Sequence, residues 1–260
     1  MMDLSVVIIS TNEARFLQPC LTALRNGLAG LQAEVFLVNN QCDDDSEAVA
    51  LAAFPEIKIV RNEVRCGFAR SNNRALRQAQ GRYLLVLNPD TEVRPDALPT
   101  LVKYLDARPK VGVAGAKLLN PNGTIQYSCR KFPNLRAIFF RWTPFCPRWL
   151  RDRVLWKYLM LDWDHAQARP VDWIMGACMC VRRAATEQVG LLDEGFFLYH
   201  EDIDWCYRMG QQGWEVHYVP AAVVLHHHQQ SSVKRPFSRS TRIHIRSAIR
   251  LFLKHRWLRI

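Results

Sequence analysis

The chain has 260 residues, 49% of them hydrophobic and 23% charged, which suits a globular body with a sizeable core and excludes disorder as the class. No apolar run reaches the roughly 20 residues that a bilayer-crossing helix needs, and the start, MMDLSVVIIS, lacks the basic flank and cleavage site of a secretion signal, so a cytosolic location is expected. The formal charge of +11 gathers at one end: residues 233–260 hold nine Lys/Arg and no acid, leaving 26 basic against 24 acidic residues, so the body is nearly neutral and no nucleic-acid partner is expected.

Residues 4–10 form a β-rich run that leads into Thr11-Asn12-Glu13. Phe16, Leu17, Cys20, Leu21 and Leu24 then recur at helical spacing, and Asn26-Gly27 ends that helix. A second strand over 34–39 meets the polar turn 40–45 and a helix over 46–54, and residues 57–60 give a third short strand. Cys66-Gly67-Phe68 opens another helix, which runs through Ala75 and Leu76 to the breaker Gly81. The stretch GRYLLVLNPDTEV (81–93) follows: five apolar residues of a fully buried strand, stopped by Asn88-Pro89, with the carboxylate of Asp90 just beyond. In an open parallel sheet, ligands bind past the carboxyl ends of the strands. An acid placed there can hold a hard cation, or can simply cap the turn. A helix over about 95–107 completes the half. This alternation predicts βαβ units and a parallel sheet. Neither GxGxxG nor GxxxxGK[ST] is present, which disfavours a dinucleotide Rossmann domain and excludes a P-loop enzyme.

The second half differs. Nine aromatics lie between Phe132 and Trp163, in a segment that reads as a lid, a binding surface or the packing of an irregular insert. A strand-like stretch over 171–181 carries Gly176 and Ala177, small enough for close approach of a ligand to the backbone. Cys178 and Cys180 lack the second pair or His cluster of a zinc site, and the scattered cysteines are expected to be reduced. Residues 196–208 (FFLYHEDIDWCYR) place acids at the start of a helix, where they can act chemically or as caps. Two closing strands over 213–219 and 222–225 then deliver His226-His227-His228.

Taken together, VVIISTN, FLVNNQCDDDS, CGFARSNNRAL, YLLVLNPDTEV, GACMCVRR, VGLLDEGFFLYHEDIDWCYR and GWEVHYVPAAVVLHHHQQS, in that order, resemble the family 2 inverting glycosyltransferases, and within them the bacterial rhamnosyltransferase-like branch. The resemblance covers residues 4–232. It implies an α/β GT-A fold, Rossmann-like with a mostly parallel sheet, in which 1–115 bind the nucleotide sugar and 116–232 supply the acceptor side and the catalytic base. It implies transfer of a sugar, rhamnose foremost, from a nucleotide-diphosphate donor to an acceptor hydroxyl of a cell-surface glycan or lipid-linked precursor. A catalytically silent nucleotide-sugar- or membrane-binding scaffold of the same fold is the alternative.

By the same resemblance Ser10, Thr11 and Asn39 line the base and ribose, with Asn12 and Gly67 in the donor-binding set, and Arg70 and Asn73 position the donor. Asn88-Pro89-Asp90 matches the metal motif, making Asp90 a ligand for Mg²⁺ or Mn²⁺. Asp202, beside Glu201, matches the general base, and His226 a late metal or diphosphate contact. Asn39 and Asn88 stand where acids are usual, and Arg65 where Asn is usual, which bears on the choice of donor. Outside the resemblance, residues 233–260 place Arg235, Arg239, Arg242, Arg246, Arg250 and Lys254 along one side of a helix, with Ile245, Ile249 and Phe252 on another. Such a helix suits an anionic membrane surface, or packs as a solvated basic helix on the body.

Overall fold

A computed structural model describes residues 1–133, 147–227 and 238–256. The first half alternates as its hydrophobic periodicity predicts: β1 (Leu4–Ser10), α1 (Ala14–Gly27), β2 (Ala33–Asn39), α2 (Ser46–Ala53), β3 (Lys58–Arg61), α3 (Phe68–Leu76) and β4 (Tyr83–Leu87). These strands pair in parallel in the order β3-β2-β1-β4. Side-chain alternation splits the core into two layers. Ile8, Leu37 and Leu85 face α1 and α2, whereas Val7, Ile9, Val38 and Val86 face the opposite side with Ala69 and Leu76 of α3. Burial on both faces explains why these strands read as continuous apolar runs.

Beyond β4 come β5 (Thr91–Val93), α4 (Ala97–Asp106), β6 (Val111–Leu119), β7 (Ile125–Gln126), β8 (Cys129–Arg130), α5 (Arg148–Tyr158), β9 (Arg169–Pro170), β10 (Trp173–Ile174) and β11 (Cys178–Arg182). After them lie α6 (Arg183–Val189), α7 (Glu201–Gln211), β12 (Glu215–His226) and α8 (Arg239–His255). The sheet continues β4-β11-β6-β12-β5, with β11 antiparallel to both neighbours and β12 parallel to β6. Two expectations change. The stretch over 171–181 breaks at Gly176 into β10 and β11, which belong to different sheets. The two closing strands are one strand, β12, whose register against β6 shifts between Val219 and Val223 and so carries the chain past Pro220.

Of the nine aromatics, Phe139, Phe140, Trp142 and Phe145 lie outside the described residues, as do His228 and Arg235. Among the rest, Trp149 and Trp156 are exposed, while Trp163 stacks on His165 at 4.3 Å and meets the buried Tyr218 edge-on.

The basic tail packs on the body. Leu251 and Phe252 are buried, and Ser247 Oγ donates to the Leu198 carbonyl (2.8 Å). Lys254 reaches both Asp193 (2.7 Å) and the fully buried Asp204 (2.6 Å), and Arg250 meets Asp193 at 3.1 Å. Together with the segment 192–198, α8 therefore walls one side of α7. That segment also touches the start of α3, where Phe68 N–H donates to the Phe197 carbonyl (2.7 Å). A Cβ on Gly67 would lie 2.3 Å from that carbonyl oxygen and 2.7 Å from the Phe197 Cα, so only glycine fits.

Two outcomes follow. Gly67→Ala forces α3 and the 192–198 segment apart, and a thermal melt should register a loss of about 1–3 kcal/mol, the usual cost of overpacking. For Asp193, partial burial pushes the carboxyl up, but Lys254, the Gly195 N–H and Arg250 outweigh it and take it from the ordinary 3.8 down to about 2. A lowered carboxylate stabilises the fold above its unfolded value and loses that contribution as pH falls from about 4 to about 2. Asp193→Asn should thus lower the melting temperature at pH 6 while changing it little at pH 2.

Candidate active site

A cleft of about 460 Å³ opens at the carboxyl ends of β1 and β4. Thr11, Gly67, Asn88, Asp90, Glu201, Asp202 and His226 all line it, so residues more than a hundred positions apart in sequence converge there.

The register of the sheet makes the first pair. β5 runs antiparallel to β12 with Thr91 opposite His226, and the His227 N–H donates to the Asp90 carbonyl (2.8 Å). This sets the Asp90 carboxylate 3.3 Å from His226 Nε2, with both residues more than nine-tenths buried. Gln126 fixes the ring. Its amide NH₂ donates to the Asn120 side chain (2.8 Å) and to the His226 carbonyl (2.7 Å), leaving its Oε1 to accept from His226 Nδ1 (2.8 Å). A neutral imidazole that donates from Nδ1 keeps its lone pair on Nε2, the atom facing Asp90. A carboxylate oxygen and an imidazole lone pair aimed at one another form the donor set a divalent cation takes. Among the described residues, no group of three or more His, Cys, Asp and Glu side chains is arranged to hold a metal. The two that meet here would leave further coordination positions to ligand oxygens.

The second pair opens α7. Tyr199 and His200 both have positive φ, 68° and 70°, which is uncommon for non-glycine residues and turns the chain sharply into the helix. Glu201 and Asp202 then occupy its first turn, where the helix dipole favours negative charge. Asp202 accepts from the Gly176 N–H (3.2 Å) through one oxygen and from the Ile203 N–H (2.9 Å) through the other. Burial raises its pKa, and these N–H groups limit the rise. Burial raises that of Glu201 much further, with the Asp202 charge adding to it, and Glu201 Oε2 has no hydrogen-bond partner among the described residues. Of the two, Glu201 is the more strongly pushed toward its protonated form, by its deeper burial penalty and by the charge beside it.

The remaining expected residues lie outside the cleft. Ser10 and Asn39 are partners across β1 and β2, and alternation turns both toward α2. Ser10 pairs with Ser46 (2.9 Å), and Asn39 donates to Glu47 (3.0 Å) while accepting from the Cys42 N–H (2.9 Å). Asn40 lines the cleft in place of Asn39. It donates to Thr11 Oγ1 (3.2 Å) and grips Cys66 through both its N–H and its carbonyl, which holds the Cys66-Gly67 entrance to α3. Asn12 is exposed and accepts from the Asp43 N–H (2.7 Å). Asn73 is buried and clamps Leu192 and Glu194 instead of facing the cleft, and Arg70 lines a neighbouring cavity. Sequence reasoning missed Glu13, which lines the cleft and whose carboxyl is pushed up to about 7 by burial and by the Asp90 charge. Its place just past β1 was the available signal. No sequence pattern pointed to Gln126.

The family described as Glycosyl transferase family 2 matches over residues 5–189. The N-acetylglucosaminyl-diphospho-decaprenol L-rhamnosyltransferase of Mycobacterium tuberculosis is 30% identical over 237 residues, which cover 85% of this chain and 75% of that protein. The rhamnosyltransferase WbbL of Escherichia coli K12 is 32% identical over 203 residues, 74% and 72% of the two chains. Among solved structures, GalNAc-T7 with UDP, GalNAc and Mn²⁺ superposes with a TM-score of 0.70 at 18% identity over 97% of this chain and 48% of its own. The mannosyltransferase PcManGT of Pyrobaculum calidifontis, in complex with GDP-Man and Mn²⁺, gives 0.58 at 18% over 90% and 58%. These likenesses mark the fold as that of the GT-A glycosyltransferases. With the family matched across most of its length and its relatives across most of theirs, the chain belongs to glycosyl transferase family 2.

Proposed function

We propose that this glycosyltransferase is a metal-dependent inverting enzyme that moves rhamnose from a nucleotide-diphosphate donor to a lipid-linked, diphosphate-bearing sugar at the inner face of the cell membrane. The observation that carries the reading is the presence, in one cleft, of the Asp90–His226 pair and the Glu201–Asp202 pair. The names of the two rhamnosyltransferase relatives support the donor sugar, and that of the mycobacterial one supports the acceptor class. The location rests on the acceptor, since among the described residues no helix is long and apolar enough to cross a membrane.

Asp90 and His226 are the residues that would hold Mg²⁺ or Mn²⁺. A cation bound there neutralises charge on a departing diphosphate. Asp202 takes the proton of the acceptor hydroxyl as that oxygen bonds to the anomeric carbon and the bond to the diphosphate breaks. A base with a raised pKa is stronger than an ordinary carboxylate. Burial and the Asp202 charge push Glu201 beside it toward its neutral form, and Asn40 and Thr11 shape the nucleotide side of the cleft.

Asp202→Asn should lower kcat by roughly a hundred- to ten-thousand-fold while leaving donor binding intact. Asp90→Ala should abolish the stabilisation of the protein by a nucleoside diphosphate that depends on Mn²⁺, read as a thermal shift. Full turnover by the Asp202 variant would remove that residue from the role of base. The acid limb of kcat/KM should fall above the ordinary aspartate value of 3.8, because Asp202 must lose its proton to act. Gln126→Leu, which frees the His226 ring, should raise the Mn²⁺ concentration needed for half-activity about 10- to 100-fold.

A further inference from the structure

A second cavity, of about 600 Å³, lies beside the active cleft and shares Arg65, Cys66, Gly67 and Phe197 with it. Its walls are the start of α3, the 192–198 segment and the tail helix α8, and five arginines line it: Arg65, Arg70, Arg239, Arg246 and Arg250. Arg250 is bound to Asp193 at 3.1 Å, and Arg70 sits in the field of Glu194. The side chains of Arg65, Arg239 and Arg246 have no hydrogen bond or ion pair among the described residues. Glu194, the one acid among the described lining residues, is already engaged by Asn73 (3.0 Å) and Arg77. Guanidinium groups brought together without carboxylates repel one another, and planar guanidinium forks match phosphate oxygens.

We propose that this cavity binds the diphosphate of the lipid-linked acceptor, leaving the acceptor sugar to reach past Phe197 toward Asp202. The inference rests on the lipid-linked acceptor proposed above. A donor diphosphate held at Asp90 and His226 needs no second cationic site. An acceptor that carries its own diphosphate does, at a distance from the first and open to the base. Phe197, 42% exposed, stands at the junction of the two spaces. The tail helix also offers a place for the lipid. Ile245, Ile249 and Leu253, at steps of four, are 46%, 55% and 64% exposed, each one residue before Arg246, Arg250 and Lys254. A helix that turns an apolar stripe outward beside basic groups suits the interface of an anionic bilayer.

The test uses the full chain and farnesyl diphosphate as probe, with binding measured by calorimetry for the wild type and for the double variant Arg239→Gln/Arg246→Gln. Both side chains are exposed and without partners among the described residues, so the variant should melt as the wild type does. The proposal expects farnesyl diphosphate to bind the double variant at least about tenfold more weakly. A nucleoside diphosphate with Mn²⁺ should bind both proteins equally, and farnesol should bind neither. Equal affinity of the two proteins for farnesyl diphosphate, or no binding by the wild type, overturns the proposal. Inorganic diphosphate binding as tightly as the farnesyl ester overturns the assignment to a lipid. Failure of the donor site itself would appear instead as loss of Mn²⁺-dependent nucleotide binding in the wild type.

Discussion

The structure depends on one constraint: a short antiparallel pairing of β5 with the end of β12. It sets Thr91 opposite His226 and holds the Asp90 carboxylate 3.3 Å from an imidazole nitrogen whose tautomer Gln126 dictates. Two groups that both present electron pairs, buried and face to face, are costly unless a proton or a cation lies between them. The rest of the sheet serves to make that approach unavoidable. β4 ends at Asn88-Pro89, where the ladder cannot continue, and β12 must cross its register shift at 219–223 to arrive at the same height.

The second constraint is the tight junction between Gly67 and Phe197. It ties the start of α3 to the segment that leads into Glu201 and Asp202. Through Asp193 and Asp204, the same segment and α7 anchor the tail helix. The start of α3, the acids that open α7 and the tail thus form one mechanical unit. Asp204 shows how neighbouring acids divide labour: it is fully buried and salt-bridged to Arg208 and Lys254, while Asp202, two residues earlier, faces the cleft.

Much of this was legible in the sequence. The apolar runs at 4–10, 34–38 and 83–87, separated by helical periodicity, give a parallel sheet because burial on both faces removes polar residues from the strands. Asp90, Asp202 and His226 stood out because each ends an apolar run or opens a helix, and the fold brings all three to one cleft. Side-chain direction was not. Asn39 and Asn40 differ by one position, and the pleat sends one to α2 and the other to the cleft, a choice fixed by register and not by residue type. Asn73 is a similar case: polar and on the expected helix, but committed to the Leu192 backbone across 119 residues of chain. Gln126 sits in a two-residue strand whose importance arises only from what stands beside it. The tail read correctly as basic and amphipathic, yet its docking on Asp193 and Asp204 required the fold.

The measurement closest to the central claim is an electron paramagnetic resonance titration of Mn²⁺ against the full chain with a saturating nucleoside diphosphate. The account predicts one tightly bound ion per chain in the wild type, with binding lost in Asp90→Ala and weakened in His226→Ala. One tight ion that survives both substitutions would place the cation elsewhere and contradict the account.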